Sequence, residues 1–146
     1  MRFTDLFTEL VRAEIELWNE LDAHLVVTVG IPLSQYQALA AIRNGYGRAR
    51  VQDISTEMLI TVGATSKIVD RLERDNLAER SAHPHDRRSS IVVLSERGAT
   101  ALAAADETIE SHLTTRLGDV LTTDKADSLL TDLRSLRARP PVEAAQ

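Results

Sequence analysis

Cysteine is absent from the 146 residues. Disulfides, thiolate metal sites and thiol redox sensing are therefore excluded, and a cytoplasmic location fits. Proline and glycine are scarce, at four and six, against 43% apolar residues, which points to an ordered, mostly helical chain. Long apolar runs are also missing: none approaches the roughly 20 residues needed to span a membrane, so no membrane partner is expected. The opening "MRFTDLFTELVRAEIELW" places acids inside its apolar pattern, unlike a signal peptide. No Ser/His/Asp order sits in a nucleophile-elbow context and no glycine loop suits phosphate, so neither an enzyme nor a bound cofactor is expected.

What is present is unevenly charged. The net charge is −5, yet residues 29–97 hold ten basic and eight acidic groups. The acid excess lies in the two ends. Such an asymmetry permits a local anion-facing surface on an acidic protein.

Apolar spacing predicts six helices. Phe3, Leu6, Phe7, Leu10, Leu17, Leu21 and Leu25 mark a long first helix, ended by Gly30 and Pro32. Ser34 and Gln37 read as a capping box opening the second, which "NGYG" at 44–47 closes. A short third helix spans about 51–59, and Thr61 N-caps a fourth over 62–75. Asn76 suits a left-handed helix stop. Residues 77–82 and 90–94 then flank a turn-rich loop as a hairpin, Ser95 caps a fifth helix, and Thr122 or Thr123 opens a sixth.

Two short helices joined by "LITV" and followed by a two-stranded ribbon make a winged helix-turn-helix. The expected fold is mainly α with a small β-hairpin, as one domain over 1–146. About 33–98 form the winged helix-turn-helix, 1–30 and 99–137 are flanking dimerisation helices, and 138–146 form a flexible tail. The flanking helices need another apolar surface, which a second copy of the chain supplies most simply.

In such a unit the second helix enters the major groove by its N-terminal residues. That assigns Thr65, Ser66 and Lys67 to the DNA-facing side, with Lys67 reaching guanine or phosphate and Arg71 holding phosphate one turn on. The loop "HPHDRRS" places Arg87 and Arg88 at the ribbon tip. A planar guanidinium suits a narrow minor groove, and Asp86 holds one of them extended. Taken alone, the helix reads equally as a capped surface helix with a solvated Lys, and the loop reads better as a solvated turn with an ion pair worth under about 1 kcal/mol.

The stretch "VGATSKIVDRLERDNLAERSAHPHDRRSSIVVLSERG" resembles the core of the MarR family of transcriptional regulators. The shared motifs are the "DRR" tip at 86–88, the L-[ST]-x-x-G continuation from Leu94 to Gly98, and "S-x-x-[VI]-D-R-L-E" from Ser66 to Glu73. The resemblance implies an obligate homodimer joined by the first, fifth and sixth helices. It implies control of transcription at a pseudo-palindromic double-stranded DNA operator. It also implies a wing in which Arg88 enters the minor groove with Asp86 as its partner. Asn76 departs from the Gly usual there.

Members of that family often release DNA when a small aromatic or anionic ligand enters a cleft beside the dimer helices. Trp18, the single Trp, His24 and Tyr36 are the candidates here; dimer packing for Trp18 and plain packing for Tyr36 is the plainer alternative. No metal site is expected, because His83 with His85, and His112 with its neighbouring acids, lack the i, i+4 spacing of ligands on one helical face. The competing class is a helical dimer that binds ligand or protein without reading DNA.

Overall fold

In the computed structural model, helix α1 (Phe3–Thr28) is followed by α2 (Leu33–Asn44), strand β1 (Arg48–Arg50), α3 (Val51–Met58) and α4 (Val62–Arg74). Strands β2 (Ala78–His83) and β3 (Asp86–Leu94) come next, then α5 (Glu96–Gly118) and α6 (Thr123–Ala138). The structure describes residues 1–83 and 85–141, and only the backbone of 82, 83 and 86–89. The chain forms two units, Met1–Ile109 and Glu110–Gln146, and α5 runs through the boundary. No single helix among the described residues is long and apolar enough to cross a membrane.

The first unit is built on a small core. Leu25, Leu39, Ile42, Ile54, Val69, Leu72 and Val92 are all fully buried. They come from α1, α2, α3, α4 and β3, so every element of the helix-turn-helix is pinned to one apolar centre. Gln35, also buried, donates from Nε2 to Asp75 Oδ2 at 3.1 Å and ties α2 to the end of α4. That bond and the one from Arg74 hold the Asp75 carboxyl below its usual pKa, with Arg74 the larger cause.

The expected ribbon is present, but it is part of a three-stranded antiparallel sheet in the order β1-β3-β2. Strand β1 is only "RAR"; it adds to the outer edge of β3, pairing Ala49 with Val92. Three residues with charges on either side of one Ala leave no alternation to detect. The capping box at Ser34 does not form. Pro32 is the N-cap of α2, and the Asp22 carboxylate, from α1, accepts from Leu33 N–H at 2.8 Å instead. A cap from eleven residues away replaces the local one.

The turn between α3 and α4 carries strain. Leu59 sits in the left-handed region at φ 57°, ψ 36°, with 77% of its surface exposed. An L-residue costs about 1–2 kcal/mol there, while glycine pays only its greater unfolded-chain entropy of about 0.4–1 kcal/mol. Leu59 gains little from burial. Leu59→Gly should therefore raise unfolding free energy by about 0.5–1 kcal/mol. Urea denaturation with an unchanged m-value checks this, and a lower midpoint would count against it.

The second unit, within Glu110–Gln146, holds the end of α5 and all of α6. Leu129, Leu130, Leu133 and Leu136 remain 37–63% exposed along α6. On α1, in the first unit, Phe3, Leu6, Phe7, Val11 and Ile15 are likewise exposed at helical spacing.

Candidate nucleic-acid interface

Helix α4 presents three different faces. It starts at Thr61, whose Oγ1 accepts from Ala64 N–H at 3.1 Å. One stripe, Thr65, Ile68, Val69 and Leu72, is buried in the core. A second, Ser66, Asp70 and Glu73, lies against β2 through Arg80. The third carries Gly63, Ala64, Lys67, Arg71 and Arg74, all exposed.

Thr65 is a correction to the sequence expectation. Its side chain is fully buried, and its hydroxyl donates to the Thr61 carbonyl at 2.9 Å. The hydroxyl is satisfied within its own helix, and the methyl packs inward with Ile68 and Val69. Threonine thus behaves here as a small apolar residue and does not reach outward. Ser66 is half-buried, while Lys67 and Arg71 stand exposed as expected.

The end of α4 aims the wing. Asn76 is left-handed at φ 57°; its N–H bonds Glu73 C=O at 3.0 Å, and Leu77 N–H bonds Leu72 C=O at 2.8 Å. This is the paired-bond stop that glycine usually supplies, with Asn in its place. Chain direction therefore changes within two residues and feeds β2 directly. Ser95 then ties the far end of the wing back: its hydroxyl donates to Asn76 C=O at 2.7 Å and accepts from Gly98 N–H at 2.9 Å. Helix, ribbon and α5 start are joined at one point.

Asp86, Arg87 and Arg88 open strand β3, directly after the turn of the wing. Their side chains, and that of His83, lie outside the described residues, as does the expected Asp86–Arg88 pair.

Sequence reasoning missed Arg80 and the α2–α5 network. Tyr36 Oη donates to Asp106 Oδ1 at 3.0 Å, and Arg43 pairs with the other Asp106 oxygen. Burial, and next the carboxylate it donates to, raise the Tyr36 phenol above its usual pKa, so it stays a proton donor. Partners 70 residues apart leave no local signal. For Arg80 a signal existed: Ser66, Asp70 and Glu73 recur at i, i+4 and i+7, a polar seam awaiting a cation.

The groove at Trp18, about 360 Å³, is lined by Glu14, Ile15, Trp18 and Asn19, without His24 or Tyr36. His24 lies exposed near the end of α1. A larger cleft of about 590 Å³ opens between Thr28 and Val29 of the α1 end and Glu96, Arg97, Thr100, Ala101 and Ala104.

Residues 29–89, which contain the helix-turn-helix and most of the wing, match the MarR family. YfiV, an HTH-type transcriptional regulator of Bacillus subtilis (strain 168), is 28% identical over 94 residues, covering 64% of this chain and 53% of its own. The chain spans about half the length of the curated relatives it matches. Among solved structures, Sco3205 of Streptomyces coelicolor, a MarR family transcriptional regulator in complex with DNA, superposes with TM-score 0.83 at 23% identity, covering 92% of this chain and 84% of that one. The organohalide-sensing regulator RdhR, in its 2,4-dichlorophenol-bound form, superposes with TM-score 0.80 at 16% identity, covering 94% and 80%. Residues 29–89 thus match the MarR family of transcriptional regulators, and nearly the whole chain shares the winged helix-turn-helix fold of solved MarR family structures.

Proposed function

We propose that the chain works in the cytoplasm as a homodimeric repressor of transcription, bound to a pseudo-palindromic double-stranded DNA operator. The observation that carries this reading is the solvent face of α4, where Lys67, Arg71 and Arg74 stand exposed at i, i+4 and i+7. Beside Gly63 and Ala64, which let a DNA backbone approach closely, that face suits a major groove. Lys67 reaches bases or phosphate, Ser66 lies at the edge of the contact, and Arg71 holds phosphate. Arg88 enters the minor groove with Asp86 orienting it and Arg87 beside the backbone. The exposed apolar stripes of α1 and α6 favour a second copy as their cover, which sets two recognition helices about 34 Å apart.

Release by a small aromatic or anionic ligand belongs to the same proposal. Trp18, His24 and Tyr36 are its proposed contacts, Trp18 from its own groove on α1, and the 2,4-dichlorophenol carried by RdhR is an example of the chemistry. Selection of bound duplexes from a random pool, at stated salt, tests the DNA reading. A two-fold symmetric consensus is expected. Arg88→Ala should then bind with a flatter salt dependence and a weaker preference for A·T flanks. A wild-type slope and preference in that variant would remove the wing assignment. A chain that forms dimers but enriches no sequence at low salt would instead be a ligand- or protein-binding module.

A further inference from the structure

Arg80 is the most heavily engaged charge described in the first unit. It lies on β2, with its side chain 25% exposed. Its backbone N–H donates to Glu73 Oε1 at 3.0 Å, and its Nη1 donates to Glu73 Oε2 at 2.8 Å and to Asp70 Oδ1. Its Nη2 donates at 3.2 Å both to the Ser66 carbonyl and to Ser66 Oγ. One guanidinium thus spans two turns of α4 along the seam between the core stripe and the exposed cationic stripe.

We propose that Arg80 is a positioning residue for DNA recognition, clamping the wing to the recognition helix and fixing Ser66 as a hydrogen-bond donor toward the groove. The first half follows from the contacts. With β2 fastened to positions 66, 70 and 73, α4 cannot roll about its axis without dragging the wing. Major-groove and minor-groove contacts are therefore set at one fixed spacing and angle. The second half follows from the chemistry of a hydroxyl, which has one proton to give. Ser66 Oγ accepts from Arg80, so its proton is directed away from the guanidinium. A donor there pairs with guanine O6 or N7, adenine N7, thymine O4 or phosphate, while a single lone pair is left on Oγ for the amino groups of cytosine and adenine. Asp70 and Glu73 neutralise Arg80, so it makes no counterion-releasing contact of its own.

This inference rests on the DNA-binding reading. Arg80→Lys keeps the charge but lacks the planar fork that bridges Ser66 and Glu73. The measurement is affinity for the selected operator and for an unrelated duplex of equal length, over a salt series, with a thermal melt alongside. Arg80→Lys should lower the operator-to-unrelated ratio by about tenfold or more, with unrelated binding and the salt slope unchanged. Ser66→Ala should reduce the same ratio in the wild-type chain and do little further in Arg80→Lys. Equal losses on both duplexes with a flatter slope would make Arg80 a phosphate contact, and an unchanged ratio would make the clamp irrelevant to recognition; either overturns the proposal. If Arg80→Lys fails to fold, Glu73→Gln is read the same way, and an unchanged ratio there is equally fatal. A wild-type chain with no operator preference sinks the parent reading, whereas preference that survives in these variants sinks only this one.

Discussion

Gly98→Ala should be the most destabilising single-methyl addition in the chain. A Cβ at Gly98 would stand 1.9 Å from the Leu77 carbonyl oxygen, 2.9 Å from its carbon and 3.3 Å from its Cα. Neither side has freedom to retreat. Leu77 is buried, its N–H is held by Leu72 C=O at 2.8 Å, and its carbonyl accepts from Ser95 N–H at 3.2 Å. Gly98 is buried too, and its own N–H is bound to Ser95 Oγ at 2.9 Å. Overpacking a core commonly costs about 1–3 kcal/mol where side chains can shift; against fixed backbone the loss should exceed about 3 kcal/mol. For a chain of this size that is a melting point lower by roughly 10 °C or more. Gly63→Ala is the matched control, since its added Cβ would meet nothing within 4 Å and Ala favours a helix by about 0.8–1 kcal/mol. Calorimetry showing Gly98→Ala within a degree or two of wild type would mean that α5 does not abut the α4–β2 turn as described.

That junction also separates what the sequence makes legible from what it hides. The local punctuation is readable: Thr61 caps α4, Asn76 stops it at a positive φ, and Ser95 caps α5, each through bonds to residues within four positions. Capping and turn chemistry depend on near neighbours, so a window of sequence contains the cause. All the failures but Thr65 have distant causes. Ser34 is a sound cap by pattern, yet Asp22 on the preceding helix takes the role. Thr65 is polar by composition, but the rotation of α4 is set by Ile68, Val69 and Leu72, which carry Thr65 inward with them. Arg80 and Asp106 acquire partners only when β2 lies on α4 and α5 lies near α2. The candidate site is therefore readable as a set of elements, while the assignment of single side chains to its faces needs the packing.

Replacing Lys67 and Arg71 together by Ala should abolish most operator binding while leaving the fold intact. Both side chains are exposed, so the substitution should change stability by no more than about 0.5 kcal/mol. Binding is another matter. Each cation that neutralises a phosphate contributes about 0.9 to the slope of log affinity against log salt. In a dimer that engages both half-sites, the double variant removes four cations per operator. The slope should fall in magnitude by about 3–4, and affinity at moderate salt by roughly 10³-fold if each contact is worth about 1 kcal/mol. A single subunit on the same DNA would lose only about half of that slope, near 1.8. The size of the change therefore counts subunits as well as contacts. If Lys67 instead reads guanine while Arg71 alone meets phosphate, the slope should fall by about half as much in the dimer, but affinity should fall at one base position of each half-site more than at others. The pattern of lost base preference then separates a base-reading Lys67 in a dimer from a phosphate-holding Lys67 in a monomer. Fluorescence titration over a salt series, with mass determined at the same protein concentration, reads all of these quantities. A double variant whose slope and affinity both equal those of wild type would show that the exposed cationic stripe of α4 does not face DNA at all.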